Sequence, residues 1–497
     1  MRARLFTAEN RKWWTLLAVS FGLFMIMLDN TVVNVALPSI RTDLGISISE
    51  LEWVVNGYAL TFGVLLLTGG KLADMLGRRR MFIAGLVIFT GSSFFCGFAS
   101  SASVLIGARV VQGVGAALMN PATLSIITAT FPPRQRGTAI GIWAGASAMA
   151  LAIGPLVGGA ITEHVNWSWV FYINVPIGIL GIFAARIFID ESKDTSAQRL
   201  DLPGLVTSAI GLFALTYGLI ESNDRGWGDP FVLGLFAVAA VFLVAFVLLE
   251  QHQRLPMLDL SLFRNSTFSA ANTVMFLIGL AMFGTFFFVS IFVQTVLGYS
   301  PMQAGATFLP MTLLIMFVAP NAGRLSDKLG PRAMMVPGVA LITASLVLFS
   351  MLDASSTFWT LLPALVVGGF GMAMAMAPTT SAAMHAVPVD KAGVGSAVIN
   401  TMRQIGGSVG LALIGAIVAT QYNPTHANLH DFVDGFHLGL RVAAGIAFLG
   451  VLVAAFGIRP EQLRDEREPA GESPQPRSVV GEGVLQEPVV LSEERAP

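Results

Sequence analysis

Long apolar runs recur along the whole chain, and they limit the folds that it can adopt. Only 12% of the residues are charged, whereas a soluble domain carries about 25%. In a bilayer every backbone polar group must be paired within the protein, so such runs form helices or a closed barrel. Barrel strands are alternating segments of about ten residues, and these runs are longer and continuously apolar. We therefore predict an all-α polytopic membrane protein with fourteen spans. The spans cover residues 14–37, 52–70, 82–99, 103–128, 138–161, 168–189, 203–220, 230–249, 269–296, 303–322, 334–351, 358–380, 393–420 and 437–457.

The positions of lysine and arginine indicate the orientation of the spans. With the N-terminus in the cytoplasm, cytoplasmic segments hold 24 of the 29 Lys and Arg residues, and external loops hold only Arg41 and Arg225. Cytoplasmic loops of membrane proteins carry such an excess, and an odd error in the number of spans would scramble it. We predict that both termini are cytoplasmic.

A short polar stretch occurs twice and indicates a duplication. The residues that recur at a constant offset of 253 are Gly70, Leu72, Asp74, Leu76 and Gly77, which align with Gly323, Leu325, Asp327, Leu329 and Gly330. The first copy joins spans 2 and 3, and the second joins spans 10 and 11. A shift of eight spans predicts two pseudo-symmetric six-helix bundles with two helices inserted between them.

This duplication divides the chain into five segments. They are a cytoplasmic N-terminus (1–13), an N-terminal bundle (14–189), a linker with the two inserted helices at 203–220 and 230–249 (190–268), a C-terminal bundle (269–457) and a disordered tail (458–497).

Two oppositely charged residues lie within the spans of the first bundle. Asp29 of span 1 lies roughly 12 Å inside the outer end, at about 1.5 Å per residue, and Arg109 of span 4 lies at a similar depth. An ionisable residue in a span is costly, so we interpret the two as a proton-coupling pair. The alternative is a static ion pair that fixes the packing of spans 1 and 4.

Other polar residues of the spans are candidates for a substrate cavity. They are Asn34, Gln112, Asn400, Arg403 and Gln404. Gln112 follows Arg109 by one helical turn, and Asn400 and Gln404 share a helix face. For the residues of span 13, a structural polar contact is the alternative. In span 5, Gly154, Pro155, Gly158 and Gly159 predict close helix packing and a bend.

Neither a phosphate-binding Gly-Lys-Ser/Thr loop nor a metal-binding set of His, Asp and Glu is evident in the sequence. We therefore expect no cofactor and no metal, with a proton gradient as the energy source.

These motifs resemble those of the major facilitator superfamily, specifically its fourteen-helix drug:proton antiporter branch (EmrB/QacA type). The resemblance covers residues 14–457, and the matching motifs lie at 28–38, 70–80, 105–117, 154–159 and 167–178. The chain departs from the family pattern at Pro331, where the first copy of the loop has arginine, and at Ser168, where many relatives have arginine.

The resemblance implies roles for several residues. It links Asp29 and Arg109 to proton handling, and it implies that Gly154 and Pro155 form a bend that seals against leak. It also implies a cytoplasmic latch between the two bundles in the outward-facing state. The latch residues are Gly70, Asp74, Gly77, Arg78, Asp327 and Arg332.

The expected function is export of small lipophilic or cationic compounds from a bacterium across its cytoplasmic (inner) membrane in exchange for protons. The expected partners are the substrate, protons and membrane lipid, with no nucleic acid, and the expected functional unit is a monomer. One alternative is an exporter dedicated to a single endogenous metabolite or lipid. The other is a membrane receptor that transports nothing.

Overall fold

The computed structural model describes residues 8–193, 200–253, 256, 258, 260–387, 392–420 and 429–458. The predicted tail after residue 458 lies outside the described residues. The helices are α1 (Ala8–Leu44), α2 (Ile48–Leu76), α3 (Arg78–Gly97), α4 (Ala102–Thr130), α5 (Pro133–His164), α6 (Trp169–Tyr172), α7 (Asn174–Phe188), α8 (Leu202–Arg225), α9 (Pro230–His252), α10 (Ser266–Thr295), α11 (Pro301–Thr307), α12 (Leu309–Leu329), α13 (Pro331–Phe349), α14 (Phe358–His385), α15 (Ala392–Ala419) and α16 (Leu429–Gly457).

The lengths of the helices match a membrane protein. Within the described residues, thirteen helical segments are long and apolar enough to cross a bilayer. Helix α5, with 32 residues, is not one of these thirteen segments; counted with them it makes fourteen. The structure thus confirms the predicted fold class.

Two of the predicted spans are broken by proline. Span 6 divides at Ile173 into α6 and α7, and span 10 divides at Phe308 into α11 and α12. Proline has no N–H to donate to the carbonyl four residues earlier. Pro176 leaves the carbonyl of Tyr172 without that bond, and Pro310 does the same at Ala306. The first break directly follows Tyr172, and the second lies two residues after Ala306.

The repeated glycines Gly77 and Gly330 form equivalent turns. Gly77 lies between α2 and α3 with φ +116°, and Gly330 lies between α12 and α13 with φ +89°. Residues with a side chain rarely adopt these angles. The duplication therefore preserves a turn that requires glycine.

Helices α1–α7 pack into an N-terminal half and α10–α16 into a C-terminal half. Helices α8 and α9 pack against each other, and α8 also packs against α2 and α15. The most apolar window of α9 has a mean hydropathy of 3.1 and is only 11% buried, so α9 is suited to face lipid. The inserted pair thus lies at one side of the contact between the halves.

Matching glycines bring corresponding helices of the two halves together. A Cβ added to Gly115 of α4 would lie 2.6 Å from the backbone N of Phe89 and 2.9 Å from the carbonyl O of Gly85, both on α3. A Cβ added to Gly371 of α14 would lie 2.7 Å from the N of Ile342 and 2.9 Å from the O of Gly338, both on α13. These pairs are related by the repeat, so the pseudo-symmetry extends to the helix contacts.

The two halves touch near their outer ends. Within the described residues, side-chain hydrogen bonds between the halves are Ser290 Oγ to Asn34 O, Gln294 Nε2 to Val35 O, Ser408 Oγ to Asn56 Oδ1, and Ser300 Oγ and Met302 N to the Glu163 carboxylate. At the cytoplasmic ends Leu76 of α2 and Leu325 and Leu329 of α12 are exposed. Among the described residues, these hydrogen bonds between the halves therefore concentrate at the ends that the sequence predicts to be external.

We expect Gly115→Ala to lower the melting temperature of the purified protein, because the new methyl group would press on the backbone of α3. Overpacking of this kind costs about 1–3 kcal/mol. The matched control is Gly107→Ala on the same helix, where an added Cβ meets nothing within 4 Å. Both variants are compared by size-exclusion chromatography after heating in detergent. Equal melting temperatures would contradict the close contact between α3 and α4.

Candidate functional site

Asp29 and Arg109 form a buried ion pair between α1 and α4. Arg109 Nη1 lies 2.6 Å from Asp29 Oδ2, and their side chains are 2% and 0% exposed. Gln112 joins the pair, because Arg109 Nη1 donates to Gln112 Oε1 at 2.7 Å and Gln112 Nε2 donates to Asp29 Oδ1 at 2.9 Å. The three side chains thus close a ring of direct hydrogen bonds.

Other helices of the N-terminal half complete the surroundings of the pair. Asn174 Nδ2 donates to Asp29 Oδ1 at 3.1 Å, and Arg109 Nε donates to the carbonyl of Val54 at 3.1 Å. The ring of Tyr58 lies 4.2 Å from the guanidinium carbon of Arg109, a distance at which an aromatic face attracts a cation. Both charged groups are therefore buried and held by hydrogen bonds from several helices.

Sequence reasoning missed Asn174 and Tyr58. Asn174 is the first residue of α7, so the helix break at Ile173 places its amide beside Asp29. Ser93 of α3 is the second acceptor of that amide, at 3.1 Å. The signal in the sequence was a polar residue just before Pro176, at a point where a span must break. Tyr58 carried no comparable signal, because no charged residue or proline lies next to it in the sequence.

Glu52 was also missed, since the predicted span 2 began at that residue. The structure starts α2 at Ile48, buries Glu52 completely and packs its carboxyl group against Gly415 of α15. Glu52 is therefore an additional intramembrane carboxyl group, located where the two halves meet.

Of the predicted cavity residues, only Gln112 joins the ion pair. Asn34 is partly exposed, one turn outside Asn30 on the same face of α1. On α15, Asn400 and Arg403 are partly exposed, and Asn400 donates to the carbonyl of Ser396 on its own helix. Gln404 is buried against Gly63 of α2. Asn34, Asn400 and Arg403 are therefore partly accessible, and Gln404 lies in the contact between the halves.

The glycines of the predicted antiporter motif allow α5 to approach two helices. Cβ atoms on Gly154 and Gly158 would collide with Thr31 and Val32 of α1. A Cβ on Gly159 would collide with Pro301 of α11, in the other half. The Pro155 carbonyl is in turn covered by Gly305 of α11. The motif thus lies in the outer contact between the halves.

The predicted latch residues of the first loop make their contacts within one half. Arg78 pairs with Asp74 at 3.0 Å, and the backbone N–H groups of Arg79 and Arg80 donate to the Glu191 carboxylate. A Cβ on Gly77 would lie 2.7 Å from that carboxyl group. Gly70 packs on Pro121 of α4. In this arrangement the loop joins α3 to the end of α7, and its role as a latch between the halves stays a prediction.

The second copy of the loop contributes less to the structure. Arg332 is exposed on the first turn of α13, and the side chain of Asp327 lies outside the described residues. Gly330 supplies the turn.

At the outer ends, one exposed carboxylate bridges the halves. Glu163, in the last turn of α5, accepts hydrogen bonds from Ser300 Oγ and from the Met302 N–H. These two bonds hold the pKa of the Glu163 carboxyl below its ordinary value, because they favour the charged form. Met302 belongs to the first turn of α11, so the carboxylate also meets the positive end of a helix.

Comparison with known proteins defines the class. The family model for the Major Facilitator Superfamily matches residues 19–411, and the chain belongs to this family. It is therefore a transporter rather than an enzyme, and it is a multi-pass protein of a bacterial cell membrane.

Its relatives include named resistance proteins. The chain is 33% identical to the tetracenomycin C resistance and export protein of Streptomyces glaucescens over 521 residues, which covers 96% of each chain. It is 35% identical to the puromycin resistance protein pur8 of Streptomyces alboniger, with 90% of this chain and 91% of the relative covered. It is 34% identical to the multidrug resistance protein Stp of Mycobacterium tuberculosis (strain CDC 1551 / Oshkosh), with 83% and 76% covered.

Solved structures support the fold. A bacterial homologue of the human lysosomal transporter Spinster, in an inward-facing and unoccupied conformation, matches with a TM-score of 0.63 and 17% identity over 94% of this chain and 99% of its own. The peptide transporter POT in complex with sulfate matches with a TM-score of 0.66 and 15% identity over 90% and 95%.

We expect Arg109→Met to destabilise the protein strongly, because it leaves the charge of Asp29 buried without its counter-ion. Loss of one partner of a buried pair costs about 3–5 kcal/mol. The double variant Asp29→Asn with Arg109→Met should recover part of this loss. Melting temperatures of the wild type, both single variants and the double variant form a double-mutant cycle, which measures the coupling between the two side chains. Losses that simply add would show that the two side chains are not coupled.

Proposed function

We propose that the protein exports small lipophilic compounds across the cytoplasmic membrane in exchange for protons, by alternating access. The observation that carries this proposal is the buried Asp29–Arg109 pair, in one of two halves whose side-chain hydrogen bonds to each other lie, among the described residues, near the outer ends. The relatives named as resistance and export proteins support the direction of transport.

The pair supplies a mechanism for coupling. A proton on Asp29 removes the negative charge that holds Arg109, while Gln112 and the Val54 carbonyl still accept its hydrogen bonds. Neutral Asp29 then has weaker bonds to Gln112 and Asn174. Protonation therefore loosens the junction of α1, α4 and α7, and loss of the proton tightens it again.

The outer contacts supply the movement. The halves are joined there by a few hydrogen bonds and by close glycine packing, whereas each half is bound internally by long helix contacts. Separation of the outer ends would break these hydrogen bonds and glycine contacts and leave the helix contacts within each half in place. The halves can thus rock as units about the space that Asn34, Asn400 and Arg403 border.

A second candidate is an exporter dedicated to one compound. The observation that favours it is that two relatives are each named for a single antibiotic. Both candidates share the fold and the coupling pair. A transport panel of chemically diverse dyes and antibiotics separates them, because a dedicated exporter would move one chemical class only.

We expect Asp29→Asn to abolish export that is driven by a pH gradient in proteoliposomes, because the amide cannot carry a proton. Exchange of labelled for unlabelled substrate without a gradient should persist. The matched control is Asp434→Asn, an exposed carboxylate on α16. Gradient-driven accumulation by Asp29→Asn would refute the coupling role.

We expect Glu163→Gln to make the space between the halves more accessible from outside, because the neutral amide holds α11 less strongly. The readout is labelling of Asn34→Cys by an impermeant maleimide in intact cells, in a Cys96→Ala background. The matched control is Glu191→Gln, which loses similar backbone hydrogen bonds within one half.

The pH dependence of this labelling has a defined sign. The pKa of Glu163 is lowered in the closed arrangement, so its contribution to closure is present at neutral pH and is lost as the pH falls through that lowered pKa. Acidification should therefore raise labelling in the parent relative to labelling in Glu163→Gln at the same pH. The same thiol reports in both, so its own pH dependence cancels. Identical pH responses would exclude Glu163 as the group responsible.

A further inference from the structure

One cation near the middle of the spans has no counter-ion in the part of the chain that the structure describes. Arg403 lies in α15, eleven residues after its first residue, or roughly 16 Å along the helix axis. It is partly exposed, on the helix face that also carries Asn400. The ion pairs of the described residues do not include it.

The nearby carboxyl groups do not neutralise Arg403. Asp29 is held by Arg109, Gln112 and Asn174 and is shielded from the space between the halves. Glu52 packs on Gly415, which lies twelve residues from Arg403 along α15, or roughly 18 Å. The space between the halves therefore has an excess of positive charge at Arg403.

Buried hydrogen-bond donors lie in the same region. Gln404 Nε2 is buried and has no hydrogen-bond partner in the described structure, and the buried Tyr58 hydroxyl group lies beside the Asn30 side chain. Gln404 is the residue next to Arg403, and its Cβ lies 3.0 Å from the position of a Cβ on Gly63 of α2. Tyr58 lies between these groups and the ion pair, with Arg403 within electrostatic range of its hydroxyl group and its ring over Arg109.

An apolar surface adjoins these donors. Phe283 of α10 lies against Gly407, one turn along α15 from Arg403, at 2.7 Å from the position of a Cβ on that glycine. Phe276 and Phe286, on the same helix, are partly exposed like Phe283. A guanidinium group, a hydroxyl group and an amide N–H next to aromatic rings match a ligand with an acidic group on an apolar body.

We propose that Arg403 binds a carboxylate or phenolate group of the exported compound, with Tyr58 and Gln404 as further donors. This proposal rests on the proposed export function. An intramembrane cation is costly without an anion, and the guanidinium group matches the geometry of two acceptor oxygens. We therefore expect acidic lipophilic substrates rather than cationic ones.

The position of Tyr58 would join substrate to proton coupling. Its ring contacts the guanidinium of Arg109, and its hydroxyl group lies on the side of Arg403 and Asn30. An anion on Arg403 that accepts a hydrogen bond from the Tyr58 hydroxyl group would hold the Tyr58 ring against Arg109. Substrate binding and the state of the Asp29–Arg109 pair would then influence each other.

The test measures binding of two dyes that share a xanthene ring, the anionic fluorescein and the cationic rhodamine 123. The full-length protein in lipid nanodiscs is titrated into each dye, and fluorescence polarisation gives the affinity. We expect tighter binding of fluorescein. Arg403→Gln should weaken fluorescein binding roughly 10- to 100-fold and leave rhodamine 123 binding unchanged or tighter. Arg403→Lys, which keeps the charge, should retain an intermediate affinity.

The matched control is Arg441→Gln, an exposed arginine of α16, which should bind both dyes as the wild type does. Size-exclusion profiles show that each variant is folded, and Arg403→Lys reports on the charge even if Arg403→Gln is lost. Unchanged fluorescein binding by Arg403→Gln, tighter binding of rhodamine 123 by the wild type, or no fluorescein binding at all would overturn the inference.

The same proteins in proteoliposomes separate this inference from the proposed function. Binding of fluorescein that depends on Arg403, without any flux driven by a pH gradient, would support the anion site and refute proton antiport. If a compound is exported in a proton-driven manner and Arg403→Gln does not change that export, the result would support proton antiport and refute the anion site.

Discussion

The structure depends on a charged pair that is held without water inside a membrane-spanning bundle. Dehydration costs several kcal/mol per ion, and the N-terminal half offsets it with groups from several helices. Arg109 bonds to the Val54 carbonyl and lies under Tyr58, while Asp29 accepts from Gln112 and Asn174. Residues of α1, α2, α4 and α7 thus all contact one ion pair. A change in the protonation of Asp29 would therefore alter contacts of all four helices.

The two halves share a backbone plan without sharing this chemistry. Glycine contacts between α3 and α4 recur between α13 and α14, and the turn glycines Gly77 and Gly330 correspond. Leu365 of α14, however, is a buried apolar residue at the position that corresponds to Arg109. One half therefore contains the buried ion pair, and the other contributes Arg403, which has no counter-ion among the described residues. On the functions proposed above, this asymmetry would assign proton coupling to one half and substrate binding to the other.

Sequence patterns predicted the spans, their orientation, the inserted pair and the residues Asp29, Arg109 and Gln112. All but the inserted pair rest on local signals, namely the length of an apolar run, the charge of a loop or the identity of a residue within a span. The inserted pair follows from two copies of a loop that lie 253 residues apart. The patterns did not reveal Asn174 or Tyr58. Asn174 reaches Asp29 from 145 residues away, and that contact exists only because the chain breaks at Ile173 and because α7 packs on α1.

By itself the sequence determined a duplicated helical membrane protein with one ion pair in its first half, because bilayer thickness and the cost of buried charge act on each segment separately. Only the tertiary structure decided which contacts close the outer side, that Glu163 bridges α5 and α11, and that Arg403 stays without a counter-ion among the described residues. These depend on how two halves of the chain meet. That arrangement follows from glycine-lined surfaces and charge placement in three dimensions, which no single segment encodes.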